Sequence, residues 1–429
     1  MIFEGKVQRV NGHTIRLGDD LASVDLVRTR RGWVRVGALP EIAKLLRQAR
    51  TPPHYVVVLP TRATQMGDGI TGEEFIFWSS IDSTKYAGTY VGTEAALGLL
   101  RRYLEPAVPY YLNDEQTGIE RRDWLETLYW PTPVGADGGI DLGSVHIQME
   151  EDRVLIQDGG ARLYDRRSTS PPDLADRVQA ALDRIPRLGR PADALRVLVV
   201  GAGNGHVRNN SSFLLTAGDR RVWVDPAPRP HETLGAYGVH WDDVTDVLLT
   251  HVHEDHMGGL TACLARARDR GARLRLWATR SAFDVLRERL AYPVPELPTL
   301  VDLHEIGPGQ PAVIGEMRCE FRLNHHNLPS GALGVKAHWQ GRCVGISGDT
   351  KYDEEIIRRL CRPELEAAWF QECHLLFHEV DLVRPRSVHS YYLEVAKLAR
   401  GLPGRLVVYH ALGNSAPLEM AEEGAWYTI

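Results

Sequence analysis

The run Val244-Thr245-Asp246-Val247-Leu248-Leu249-Thr250 leads directly into His251-Val252-His253-Glu254-Asp255-His256. The first part reads as a strand. The second places four potential metal ligands within six residues. On a strand running out into a loop, His251 and His253 are two apart and point to the same side, so they can share one ion. Asp255 and His256 fall on the following turn and can face a second. Gly258-Gly259 then lets the chain approach closely before a helix begins. Imidazoles and a carboxylate packed in this way hold a divalent metal, which makes a nucleophile from water at neutral pH.

Outward from this run, strands and helices alternate. Strand-like segments are Leu195 to Val200, Ser212 to Thr216, Val222 to Val224, Val344 to Ser347, Leu375 to Phe377 and Leu406 to Tyr409. Helices are expected over Leu260 to Arg270 and Ser390 to Arg400, from the apolar spacing along each. This order predicts an α/β class with two sheets covered by helices. A domain boundary is placed near residue 190, giving domains 1–190 and 191–429. Before it, Arg166 to Pro172 is rich in Ser, Thr, Pro and Arg, and Leu188-Gly189-Arg190-Pro191 reads as a linker. The N-terminal part reads as α+β. It has a hairpin around Asn11-Gly12, helical spacing at Ile42, Leu45 and Leu46, and a helix capped by Thr93 carrying Leu97, Leu100 and Tyr103. A second hairpin turns at Glu150-Glu151-Asp152. No ligand cluster is evident there, which points to a recognition or gating role.

The chain has 429 residues and a net charge of −6. That balance gives no global basic field and weighs against a partner held by many phosphate contacts. Five scattered cysteines without a C-x-x-C indicate buried thiols in a reducing compartment, neither a disulfide framework nor a zinc ribbon. No apolar stretch approaches a membrane span, and the start lacks a signal-peptide core. The expectation is a cytoplasmic protein without a membrane partner.

The histidine run resembles that of the metallo-β-lactamase fold superfamily. Gly201-Ala202-Gly203-Asn204-Gly205, Arg208 to Leu215 and Val222-Trp223-Val224-Asp225 are similar to the first strands of its ribonuclease Z-like phosphodiesterase branch. The resemblance covers the chain from about Leu195 to the C-terminus. It implies a four-layer αββα sandwich and two divalent ions, with zinc favoured by nitrogen-rich ligation and manganese or iron left open. It also implies three later ligands. In Asn324-His325-His326-Asn327-Leu328-Pro329 the His-x-x-Pro spacing favours His326, with His325 as the rival. Ser347-Gly348-Asp349-Thr350 matches the superfamily's S-G-D-T, so Asp349 should bridge both ions. His410, at the end of a strand, should complete the second site. The first ion would take His251, His253 and His326. The second would take Asp255, His256 and His410, with a hydroxide shared between the two.

Two further elements are similar to that branch. Leu375 to Val380 contains His378-Glu379, and Val388-His389-Ser390 resembles a His-Ser helix start. Carried over, His389 is the candidate acid for the leaving oxygen and Glu379 its partner, with Asp255 the third catalytic candidate. The stretch Asn327 to Gly348 is too short for the branch's tRNA-binding arm, and Val380 and Asp381 depart from its His-Glu-Ala-Thr. The first expectation is therefore a phosphodiesterase acting on a cyclic nucleotide or short oligonucleotide. A hydrolase of a carbon ester, lactone, lactam or thioester is the second. A non-catalytic scaffold with a structural metal site is the third. No other cofactor is expected. A protein partner through the N-terminal domain and a homodimer stay open.

Overall fold

The computed structural model describes residues 7–18, 23–37, 54–59, 89–107, 129–150, 153–167, 176, 179–187, 192–203, 210–291, 294–326, 330–352, 367–382, 389–411 and 418–429. The chain divides into two compact units. One comprises Met1–Asp183 with Glu288–Pro295, the other Arg184–Arg287 with Glu296–Ile429. The linker expected at residues 188–191 and the helical spacing at Ile42, Leu45 and Leu46 lie outside the described residues.

The first unit holds a seven-stranded sheet and a four-stranded antiparallel one. Its opening hairpin pairs Val7 with Leu17. Asn11 makes the turn, its Oδ1 accepting from the N–H groups of His13 at 2.7 Å and Thr14 at 2.8 Å. Val145–Glu150 and Arg153–Asp158 form the second expected hairpin. Their alternating inward residues Val145, Ile147, Val154 and Ile156 share a core with Val27, Val34, Val57 and Val91 of the larger sheet. The helix Glu94–Ala107 is capped as expected, with Ala96 N–H donating to Thr93 Oγ1 at 3.1 Å. Its buried stripe is Ala96, Leu97, Leu100 and Leu104, while Tyr103 is only half-buried. Leu104 continues the three-four spacing, so it takes the inward place assigned to Tyr103. Thr93→Ala should destabilise this unit by about 1 kcal/mol, read as a lower urea midpoint, because an orphan helix N–H loses its acceptor.

The second unit is built on two sheets. The first runs in the order Val301–Glu305, Leu274–Ala278, Asp246–Leu248, Arg220–Val224, Ser212–Gly218, Ala192–Gly201, Trp426–Thr428. Its first four strands are parallel. The second sheet runs Ala312–Ile314, Met317–Leu323, Leu333–Trp339, Arg342–Ile346, Leu375–Glu379, Arg405–Tyr409, and its last three strands are parallel. A single core joins the facing sides: Leu195, Val197, Val199, Phe213 and Leu215 meet Phe321, Val335, Ile346, Phe377 and Tyr409. Leu198 and Val200, which alternate with that inward set, are buried as well. Burial on both faces explains why Leu195 to Val200 reads as an unbroken apolar run. The helix Leu260–Asp269 presents Leu260, Cys263, Leu264 and Ala267 as its buried side. The helix Tyr392–Gly401 packs Val395 against Val380 and Val408 on the outer face of the second sheet. Helices thus lie outside two facing sheets, the αββα arrangement expected from the sequence.

The expected strands all form, with ends shifted by at most three residues. Six strands of this unit were not expected: Leu274–Ala278, Val301–Glu305, Ala312–Ile314, Met317–Leu323, Leu333–Trp339 and Trp426–Thr428. Met317-Arg318-Cys319-Glu320-Phe321 alternates polar and apolar residues at a two-residue period, which was a readable signal. Among the described residues no helix is long and apolar enough to cross a membrane. Cys263, Cys319, Cys343 and Cys373 are buried free thiols.

Candidate metal centre

Parallel strands end at the same side of a sheet, and the site collects there. Asp225 follows Arg220–Val224, and His251 lies three residues beyond Asp246–Leu248. In the second sheet Asp349 lies three residues beyond Arg342–Ile346, Glu379 closes Leu375–Glu379, and His410 follows Arg405–Tyr409. His326 comes three residues after the antiparallel strand Met317–Leu323. Asp225 and His410 take left-handed backbone conformations, with φ of 51° and 62°. Non-glycine residues seldom adopt these, and such strain concentrates at functional sites.

The expected residues come together as two neighbouring groups. In the first, His251 Nε2 is 3.0 Å from His253 Nδ1, and His326 Nε2 is 3.1 Å from the same atom. His326 lies in this group. In the second, Asp255, His256 and His410 converge. Asp349 Oδ1 is 3.3 Å from His256 Nε2, and Asp349 Oδ2 is 3.6 Å from His410 Nε2. The two groups adjoin, with the His251 and His256 ring centroids 4.0 Å apart.

The donor set fits divalent ions. His256 Nε2, His410 Nε2 and Asp349 Oδ1 are buried without a hydrogen bond. Native proteins rarely leave such atoms unsatisfied, and a cation is a natural partner for all three. Burial holds the His251 and His253 imidazoles well below their ordinary pKa, with crowding by His256 and His326 adding to it. Burial brings His326 down to about 4. All three are therefore neutral at pH 7, the form in which imidazole ligates metal. His256 behaves oppositely. Its burial favours the neutral ring, but the carboxylates of Asp349, Asp225 and Asp255 outweigh this and raise it well above the ordinary value. An anionic pocket that draws a proton also suits a metal cation.

A supporting layer was only partly legible. Asp225 Oδ2 accepts from His256 Nδ1 at 2.8 Å and from Thr250 Oγ1 at 2.6 Å, and its Oδ1 accepts from Thr250 N–H at 2.8 Å. It thereby fixes the tautomer that turns His256 Nε2 toward Asp349. The strand ending Val-Trp-Val-Asp was noted in the sequence, but no role followed from it. Asp225→Asn should lower metal affinity by about 10- to 100-fold with the fold retained, measured by competition with a chromogenic chelator. Asn324 was missed entirely. Its Nδ2 donates to Ser347 O at 2.7 Å and Asp349 O at 2.9 Å, tying the His326 loop to the Asp349 turn.

Two glycines are required by contact. A Cβ on Gly259 would stand 2.2 Å from Ala227 O, which bears out the close approach read from Gly258-Gly259. Gly348 has φ of 59°, and its Cβ would stand 2.2 Å from Leu333 O. Gly348→Ala should cost about 1–3 kcal/mol in denaturant unfolding and displace the adjacent Asp349.

His389 and Glu379 meet at the rim of the second group. His389 Nδ1 is 3.1 Å from Glu379 Oε2 and 3.8 Å from Asp349 Oδ2. Its ring lies 4.5 Å from that of His410, centroid to centroid. Glu379 is fully buried and is no surface residue. Its Oε1 accepts from the N–H groups of Thr350 at 2.9 Å and Ser390 at 3.1 Å. His389 loses solvation, which favours the neutral ring, yet Glu379, Asp349 and Asp255 raise it to about 9. Tyr391 and Tyr392 follow it and are half-buried, their rings 4.8 Å apart.

A family model described as Anti-Pycsar protein Apyc1 matches residues 195–426. A curated protein of that name from Paenibacillus sp. (strain J14) is 24% identical over 230 residues, spanning 51% of this chain and 89% of the relative. Among solved structures, the metallo-β-lactamase fold protein YhfI from Bacillus subtilis aligns with a TM-score of 0.45 and 17% identity, over 55% of this chain and 100% of that one. The short form of human tRNase Z aligns with a TM-score of 0.45 and 17% identity, over 54% of this chain and 98% of that one.

Proposed function

The chain belongs to the anti-Pycsar protein Apyc1 family, whose model matches more than half of it, and from that premise we propose that it is a metal-dependent phosphodiesterase. The substrate proposed is a small or single-stranded phosphodiester, a cyclic nucleotide or a short oligonucleotide. His251, His253 and His326 would hold one divalent ion. Asp255, His256 and His410 would hold the other, with Asp349 between them. Zinc suits so many nitrogen donors, and manganese or iron could occupy the same ligand types. Such a pair, when bound, activates water and neutralises charge on the phosphoryl oxygens.

The observation that carries the phosphodiesterase reading is His389 on Glu379, at 3.1 Å. An alkoxide leaving from phosphorus needs a proton. Glu379, anchored by two backbone N–H groups, holds the His389 imidazole in place and favours its protonated form. His389 would donate to the departing oxygen, while the buried carboxylates of Asp255 and Asp349 fix the charge around the reacting centre. Hydrolysis of an activated carbon ester does not require such an acid.

A metal-replete protein screened on bis-p-nitrophenyl phosphate and cyclic nucleotides, against ester and lactone substrates, tests the proposal. Asp255→Ala serves as the blank. Turnover confined to the esters and lactones would reject phosphodiester chemistry. Bound metal with no turnover on any class would leave a scaffold.

A further inference from the structure

The second sheet of the C-terminal unit carries a sulfur cluster that the proposed chemistry does not use. Cys343 lies in the strand Arg342–Ile346, and Cys373 lies in the turn before Leu375–Glu379. Val344 pairs with Leu375 in parallel register, which brings the segment just before that strand, with Cys373, alongside Cys343. Their Sγ atoms are 3.9 Å apart. Both are buried, but Glu372 and His374, on either side of Cys373, are exposed, so the pair lies just beneath a surface turn. Gly345 permits the approach, because a Cβ there would stand 2.8 Å from Cys373 Sγ.

Nitrogen groups lie close to Cys343. His338 Nε2 is 3.8 Å from Cys343 Sγ, and His374 Nδ1 accepts the Cys343 N–H at 3.2 Å. The Lys336 side chain is buried beside them, its ammonium paired with Glu320 at 3.0 Å and with Glu372. A nearby ammonium favours a thiolate. Burial raises the Cys263 and Cys319 thiols to about 12, and Cys373 is raised too by its hydrogen bond with Cys343 and by burial, so Cys343, which that bond lowers, is the attacking sulfur and Cys263 and Cys319 are the internal comparators.

We propose that Cys343 and Cys373 form an oxidisable dithiol that hydroperoxides convert to a disulfide. The Cys343 thiolate attacks the peroxide. An S–O bond forms, the O–O bond breaks, and hydroxide or alkoxide leaves to take a proton. Cys373 sulfur then attacks the resulting sulfenic acid. The S–S bond forms, the S–O bond breaks, and water departs with the Cys373 proton. Sulfur is oxidised and the peroxide reduced, with no further reactant. Forming the bridge closes the sulfurs from 3.9 Å to a bond of about 2.05 Å. The bridge would join residues 30 apart in sequence and enclose Asp349 within its loop.

The test exposes the full-length, metal-loaded protein to graded hydrogen peroxide, then to N-ethylmaleimide under denaturing conditions, with peptide mapping. The expected result is a Cys343–Cys373 linked peptide with a mass loss of about 2 Da. It should disappear with dithiothreitol, form while Cys263 and Cys319 remain alkylatable, and be absent in Cys343→Ser and Cys373→Ser. A bridge to Cys361, a sulfinic acid on Cys343 without linkage, or two unmodified thiols would overturn the proposal. The wild-type map decides alone should either variant fail to fold. Neither metal nor substrate enters the readout, so the outcome is independent of the proposed hydrolysis.

Discussion

Asp349→Ala is expected to reduce phosphodiester turnover by about 10³-fold or more and to remove at least one bound metal ion, because the proposed roles of the cluster converge on this carboxylate. Its oxygens face His256 at 3.3 Å, His410 at 3.6 Å and His389 at 3.8 Å. Burial opposes its negative charge, but the His410 and His256 imidazoles hold it well below the usual carboxylate range. It is therefore charged at neutral pH. Losing an orienting partner such as Asp225 costs a metal site about 10- to 100-fold, and loss of a direct, shared ligand should exceed that. Asp349→Asn is the sharper variant. It keeps the volume, and hence the Asn324 clamp on the backbone, while removing the charge. Metal content by elemental analysis and turnover on bis-p-nitrophenyl phosphate should fall together in both variants, with a near-native unfolding midpoint for the metal-free protein. Two ions retained alongside more than about a tenth of wild-type turnover would sink the bridging role.

How much of this site could be read beforehand depends on how each residue is placed. His251, His253, Asp255 and His256 are neighbours in sequence, so strand and turn geometry alone brings them close. Asp349, Glu379 and His410 each stand at or just beyond the end of a parallel strand, but the resemblance to the ribonuclease Z-like branch is what singled them out. His326 against His325 is different. The loop after Met317–Leu323 has no period, so spacing alone does not tell the two rings apart, and Asn324 ties this loop to Ser347 and Asp349. Asp225 and Asn324 escaped assignment for the same reason. Each acts through hydrogen bonds to residues 23 to 31 positions away, and a lone Asp or Asn in a sequence carries no trace of its acceptors. The passed-over strands of the second sheet are short or carry charged residues on one side, as in Met317–Leu323. Ala312–Ile314 offers too few residues to show a period, whereas the alternation of Met317–Leu323 was legible and overlooked.

His389→Ala is expected to discriminate by leaving group. Against a cyclic nucleotide, whose departing oxygen is a strongly basic alkoxide, kcat should fall by about 10²- to 10⁴-fold with KM little changed. Against bis-p-nitrophenyl phosphate, whose phenolate leaves without a proton, the loss should be smaller by at least about tenfold. The geometry behind this is the 3.1 Å contact from His389 Nδ1 to Glu379 Oε2, with Glu379 Oε1 already held by Thr350 and Ser390 N–H groups. Glu379→Gln keeps much of that hydrogen-bonding shape but removes the charge that favours a protonated ring. It should reproduce the leaving-group dependence in weaker form, where a merely structural His389 would lower both substrates alike. Turnover of a cyclic nucleotide and of bis-p-nitrophenyl phosphate falling by the same factor in His389→Ala would therefore remove the acid role while leaving the metal centre intact, because the seven proposed ligands do not include His389.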